Sequence, residues 1–239
     1  MKQTKIDWCD CTENCVVGCP RGCEYCYARR MNERFKWVED WNEPQFFPER
    51  LKAFESKTPK SVFINSMSDI AYWERDWVVA LFRAMIENPQ HRYIALTKDY
   101  EKWCKVREEA VESTTEDLSI LNDIFFVGRT VDKNDRMPDD FITADFINIE
   151  PIEEEIDTWR LVGYVDSEDD IFAVPAGRAI IVGAETGNRK GKVVPQKYWI
   201  DKLVRFADEW KIPIFMKESL RQLMGDEFRQ DKLPWMERI

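Results

Sequence analysis

Short, almost wholly apolar runs recur along this chain, and helical stretches separate them. The runs are Cys15–Cys19, Ser61–Asn65, Tyr93–Leu96, Ile124–Val127, Phe146–Ile149, Ala179–Val182 and Ile214–Met216. Several, such as SVFIN and AIIVG, lack the apolar–polar alternation of a half-exposed strand. They read as parallel strands buried on both faces. Trp77–Glu87, Lys98–Glu109 and Lys197–Trp210 have helical spacing, the first stopping before Asn88-Pro89 and the last starting after Pro195. Strand–helix alternation implies βαβ units. The expected fold is α/β, a full or partial parallel (β/α) barrel in a single domain over residues 1–239, with an open doubly wound sheet as the other reading.

The strand ends carry chemistry. Asn65, Ser66, Ser68 and Asp69 follow the second run; Thr97, Lys98 and Asp99 follow the third. Arg129, Thr130 and Asp132 follow the fourth, Asn148 and Glu150 close the fifth, Glu185 and Thr186 follow the sixth, and Lys217 and Glu218 follow the seventh. Parallel α/β folds build their sites at the C-terminal ends of strands. Polar residues also mark where any strand stops, so the pattern counts through its repetition.

Formal net charge is −10. Such a chain is a poor non-specific binder of nucleic acid, although a local basic rim can coexist with an acidic total. No apolar run reaches the roughly 20 residues of a membrane helix. The start, MKQTKIDWCDCTEN, lacks the apolar region of a secretory signal, so no membrane association and a cytoplasmic location are expected.

Of the seven cysteines, all but Cys104 lie between Cys9 and Cys26. Crowding in one segment reads as metal binding, whereas a disulfide scaffold spreads its cysteines. Cys19, Cys23 and Cys26 form a Cys-x3-Cys-x2-Cys loop with Gly18, Pro20 and Gly22. Three thiolates on one loop can bind three irons of a cubane and leave the fourth iron open. Structural zinc is the competing reading, with Cys9, Cys11 or Cys15 as fourth ligand, since the one histidine, His91, is distant in sequence.

The block NCVVGCPRGCEYCYARR (Asn14–Arg30), with an aromatic residue just before its last cysteine, resembles the signature of the radical S-adenosylmethionine superfamily. More narrowly, the chain is similar to a phage- and bacterium-encoded family of unknown function that looks like a divergent branch of it. That likeness rests also on FINSMSD, IALTKD, VGRTVD, INIEPI, IIVGAETG and IPIFMKESL, which follow in this order over nearly the whole chain.

The resemblance implies a [4Fe–4S] cluster on Cys19, Cys23 and Cys26, with S-adenosylmethionine as second cofactor. Tyr25 would lie against its adenine, and Asn65, Ser66 and Ser68 would sit where the superfamily contacts the methionine amino group. The Gly-Gly-Glu form often found there is missing. Arg129 and Thr130 would suit ribose or carboxylate, and Ile180–Glu185 resembles the strand beside the adenine, which brings in Glu185. The implied activity is reductive cleavage to a 5′-deoxyadenosyl radical that takes a hydrogen atom from substrate. A reductant protein of flavodoxin or ferredoxin type is the implied partner.

Lys98, Glu150, Glu185, Lys217 and Glu218 are the candidates for holding that substrate. Lys217 suits an anionic group, with an ion pair to a nearby glutamate as the alternative. A nucleotide or nucleic acid is one substrate class left open, since Trp37, Trp41, Phe46 and Phe47 can stack bases; ordinary packing is the other reading of these aromatics. Glu153–Glu155 and Ser167–Asp170 read as solvated acidic faces. A non-catalytic iron–sulfur or zinc module, acting within a complex, is the alternative function.

Overall fold

A computed structural model describes residues 1–133, 143–166, 171–187 and 189–236. The chain is mixed α/β, with a large, mostly parallel sheet of eight strands. Among the described residues that sheet is not closed, so the full barrel of the sequence reading is not formed. Two compact units divide the chain, Met1–Val127 and Gly128–Ile239.

In the first unit β1 (Lys2–Gln3) pairs antiparallel with β2 (Cys11–Thr12). Strand β2 runs parallel to β5 (Ser61–Phe63), and β5 parallel to β6 (Arg92–Thr97). A separate antiparallel ribbon joins β3 (Val16–Val17) to β4 (Gln45–Phe46). The helices are α1 (Tyr27–Phe35), α2 (Arg75–Ile86), α3 (Tyr100–Glu112) and α4 (Leu121–Ile124). Helix α2 buries Val78, Leu81, Phe82 and Met85, the spacing of one helical face. Asp99 starts α3 by accepting the Lys102 N–H, the usual work of an N-cap carboxylate. Phe54, Val62, Ile64 and Tyr93 are fully buried between these elements.

The stretch Cys15–Cys19 is not the first strand of the parallel sheet. Only Val16–Val17 is extended, and it pairs outside that sheet. Cys11–Thr12 holds the expected place because the Asp10 carboxylate accepts the Ser61 N–H at 2.7 Å and the Ser61 hydroxyl at 2.9 Å. The chain then leaves the sheet, with the Phe47 N–H bonded to the Cys15 carbonyl at 2.7 Å.

In the second unit β8 (Phe146–Ile149) pairs parallel with the end of β7 (Phe125–Thr130) and, on its other side, with β11 (Ile180–Val182). Strand β12 (Ile214–Met216) flanks β11 in the same sense. An antiparallel pair, β9 (Val162–Asp166) and β10 (Ile171–Pro175), stands apart. The acidic run Ser167–Asp170 lies outside the described residues. Helix α5 (Lys197–Trp210) has the bounds expected from its spacing and buries Ile200, Leu203, Phe206 and Ala207. Short helix α6 (Arg221–Met224) follows β12. No helix among the described residues is long and apolar enough to cross a membrane.

Candidate functional site

The cysteine loop begins where Gly18 leaves β3 with φ of 112°, a conformation that side-chain-bearing residues rarely adopt. A Cβ there would lie 2.9 Å from the Pro44 Cα and 3.0 Å from the Trp41 carbonyl oxygen. That close approach lets the Gly18 N–H reach the Met67 carbonyl at 3.0 Å and the Cys19 N–H reach that of Trp41 at 2.7 Å. The other end is fixed at Cys26, which caps α1: its sulfur accepts the Arg29 N–H at 3.4 Å. Val17, Ala28, Val38 and Trp41 form a small apolar floor, and Cys19, Cys26 and Met67 pack against it.

Burial pushes the Cys19 thiol up to about 12. A backbone hydrogen bond from Arg21 works against this, and the charges of Asp69, Cys23 and Cys26 add to it. Cys19 therefore senses the other two cysteines of the loop. Cys11 and Cys15 belong elsewhere: both are buried in the core of the first unit, and burial pushes the Cys15 thiol up to about 12.

The loops after β5 and β6 support this segment. The Asn14 side-chain oxygen accepts the Ser66 hydroxyl at 3.1 Å and the Met67 N–H at 3.0 Å, and Tyr27 donates its hydroxyl to the Ser66 carbonyl at 2.8 Å. Asn65, expected to contact cofactor, is buried, with its amide bonded to Leu96 on both sides: Nδ2 to the carbonyl at 2.6 Å, Oδ1 from the N–H at 3.0 Å. It stitches two strand ends together. Ser68 likewise accepts the Trp73 indole N–H at 3.0 Å. Asp69 accepts the Thr97 hydroxyl at 2.6 Å and the N–H groups of Ala71 and Lys98 at 3.1 and 3.0 Å. Lys98 extends its ammonium over the Tyr25 ring, 5.1 Å from the centroid. Asp99 lies 3.9 Å from the Arg21 guanidinium and accepts the Tyr72 hydroxyl at 3.3 Å.

The second unit carries its own set of strand-end residues. Lys217 forms an ion pair with Glu150, so the ordinary salt bridge is the arrangement found and the lysine's charge is met within the fold. Glu185 is held by Arg189 through two bonds of 2.8 and 2.6 Å. The same Arg189 reaches Glu153 at 3.3 Å, and the Glu153 side chain is only 9% exposed. Glu153 is thus no solvated face; Glu155, at 2.5 Å from Lys202, is closer to the surface. Glu218 makes an exposed pair with Arg221, whose hydrogen bonds hold its carboxyl below the usual range. Thr130 is buried and accepts the Asn148 amide at 3.4 Å, whereas Arg129 is half-buried.

A family model described as a protein of unknown function, DUF5131, matches residues 3–229. The chain belongs to the DUF5131 family. No curated protein and no solved structure matches it. Membership spans both units and both sets of strand-end residues, and the family description assigns no activity to either.

The donor set of the loop fits an iron–sulfur cluster in chemistry, being three soft thiolates on one segment. Among the described residues no three Cys, His, Asp or Glu side chains converge as the ligand group of one metal ion. The sequence reading missed Asn14, Arg21, Tyr72 and Arg189 as supports. Asn14, Arg21 and Tyr72 have partners in distant segments, which local spacing does not mark, whereas Arg189 stands four residues from Glu185, a spacing the sequence does show.

The aromatic candidates are mostly packing. Trp41 is buried, Phe46 stacks on Trp77 with centroids 5.7 Å apart, and Phe47 lies 4.1 Å beneath the Arg50 guanidinium. Trp37 alone of the four is well exposed.

Proposed function

We propose that this chain holds a [4Fe–4S] cluster on Cys19, Cys23 and Cys26 and acts as a radical S-adenosylmethionine enzyme. The observation carrying the reading is the seat of the loop: Cys19 and Cys26 pack against one small apolar floor, while Cys11 and Cys15 lie in the core of the first unit. The mostly parallel sheet, with candidate residues at its strand ends, supports an open (β/α) barrel of the superfamily's type. When bound, the cluster would supply one electron for cleavage of S-adenosylmethionine to methionine and a 5′-deoxyadenosyl radical.

The chain's own residues supply position. Gly18, the bond from the Cys19 N–H to the Trp41 carbonyl and the cap at Cys26 fix the loop. Asn14, Asn65 and Asp69 hold the strand ends beneath it, so these residues act through others. Lys98 orients the Tyr25 ring, which leaves Tyr25 as the candidate for the adenine and Ser66 as the candidate for the amino group. Metal binding would release the Cys19 proton, because a ligating thiol must be deprotonated. Glu150, Glu185, Lys217 and Glu218 have internal partners, and we assign them to the framework of the second unit. The anionic-substrate inference drawn from Lys217 goes with that assignment.

The test is anaerobic reconstitution. Expected are a brown protein with about four irons per chain and 5′-deoxyadenosine on reduction with S-adenosylmethionine. A colourless protein with stoichiometric zinc would overturn the reading. Four irons without any 5′-deoxyadenosine would leave a non-catalytic iron–sulfur module.

A further inference from the structure

Helix α1 turns its apolar side outward. Tyr27, Met31 and Phe35, one turn apart, are 53%, 38% and 48% exposed, and Trp37 just beyond is 39% exposed. These four are half of the eight large apolar side chains exposed among the described residues. An amphipathic helix normally buries that stripe, and clustered exposure of this kind marks an interaction surface.

The charge of the segment that carries this face is opposite to that of the chain. Residues 27–37 hold Arg29, Arg30, Arg34 and Lys36 against Glu33 alone, in a protein of net charge −10. At 3.6 residues per turn, Arg30 and Arg34 flank the Tyr27–Met31–Phe35 stripe, while Glu33 and Arg29 fall to another side. An apolar centre beside exposed arginines complements an acidic protein. A base-stacking role is less well served. Phe35 is already stacked on Trp37, with centroids 5.2 Å apart and planes 23° apart, and the Arg34 guanidinium lies over its ring at 5.1 Å.

Location decides the kind of acidic protein. The helix is capped by Cys26, so the stripe begins at Tyr27, the residue after the third proposed cluster ligand. Electron transfer falls off steeply with distance, and this face is where a donor could come close to the cysteine loop. We propose that the exposed face of α1 is the docking surface for an acidic protein that delivers one electron from a reduced flavin. In the step, one electron leaves the flavin hydroquinone, giving the semiquinone, and enters the cluster; no covalent bond between the proteins forms or breaks. The inference rests on the cluster reading above.

The test uses purified flavodoxin in its hydroquinone form as the probe and follows the cluster's visible absorbance in reconstituted protein. The Arg30→Glu/Arg34→Glu variant should be reduced about tenfold or more slowly, within the range charge steering gives. Its iron content and its reduction by dithionite should match the parent. Added salt should slow the parent and leave the variant little changed. Met31→Glu, at an exposed position, is the second variant should the double one lose iron, and it should show the same selective slowing. If the parent holds no iron, the cluster reading fails and this inference with it. If parent and variants hold iron and are reduced by flavodoxin at one rate, the cluster reading stands and the docking surface is wrong. A single-stranded oligonucleotide that binds the parent but not the double variant, with flavodoxin indifferent to both, would reassign the face to nucleic acid and equally overturn the proposal.

Discussion

Lys217 reaches Glu150 across the intervening strand because Gly183 lies between them. Ile149 on β8 and Met216 on β12 are both in register with Val182 on β11. The next residues along the three strands are Glu150, Lys217 and Gly183. A Cβ on Gly183 would lie 3.0 Å from the Lys217 Cδ, so the bare backbone gives the lysine stem its path to the carboxylate.

This arrangement predicts a non-additive pair. Lys217→Ala should destabilise by about 1–3 kcal/mol, between exposed and buried ion pairs, since it strands a half-buried carboxylate. Gly183→Ala should also destabilise by crowding the stem. In the double variant the alanine meets no stem, so the combined loss should be smaller than the sum. Urea unfolding of the four proteins reads this directly. Strict additivity would mean that Gly183 does not make room for Lys217.

The cysteines should divide into three groups. Cys19→Ala, Cys23→Ala or Cys26→Ala should each abolish iron binding and leave the fold. Cys11→Ala and Cys15→Ala should retain iron while losing about 1 kcal/mol of stability, as small core deletions do. Cys104→Ala should do neither. Iron and sulfide counts beside thermal unfolding check the set. Loss of iron in Cys15→Ala, with the fold intact, would put a fourth protein ligand on the cluster and remove the open iron.

Where burial and local order coincide, the fold is legible in the sequence. Phe146–Ile149, Ile214–Met216 and Lys197–Trp210 have the bounds their patterns predict. Strand β2 was not legible, because two residues carry no periodicity and its place depends on Asp10 bonding to Ser61. Helix α1 escaped for a physical reason: its apolar residues face solvent, and the search for a core-facing stripe passes over such a helix. In the candidate site, donor type and spacing singled out the cysteine loop. The roles of Asn65 and Lys217 depended on partners in other segments, Leu96 and Glu150, which only the folded chain brings together.

His91 gives a pH prediction. It is fully buried, its Nε2 lies 2.9 Å from the Phe54 carbonyl oxygen, and burial lowers its pKa below the ordinary value. Between the folded and unfolded values the unfolded chain binds more protons, so stability rises with pH there. As pH falls below about 6.5, stability should therefore decline, with a slope of at most about 1.4 kcal/mol per pH unit from this one group. The measurement is urea unfolding from pH 7 downward. The difference in slope between the parent and His91→Gln isolates the contribution, and parallel curves would remove His91 from the account.

Gly18 and Gly22 allow a sharper test of the loop. Both have positive φ, 112° and 79°. Alanine at either should cost about 1–3 kcal/mol in backbone strain. Only at Gly18 does added bulk meet fixed backbone, with the Pro44 Cα at 2.9 Å; at Gly22 the nearest atom is the end of the Arg29 side chain at 3.9 Å. Relief of the clash at Gly18 must move the backbone that seats Cys19 on the Trp41 carbonyl and Gly18 on the Met67 carbonyl. Gly18→Ala should consequently lose most of its iron, while Gly22→Ala keeps most of it at a similar cost in stability from strain. Iron content per folded chain, measured after anaerobic reconstitution of both variants, separates seat from strain. Equal iron loss in the two would show that the loop's conformation alone sets ligand placement and that the Pro44 contact contributes nothing.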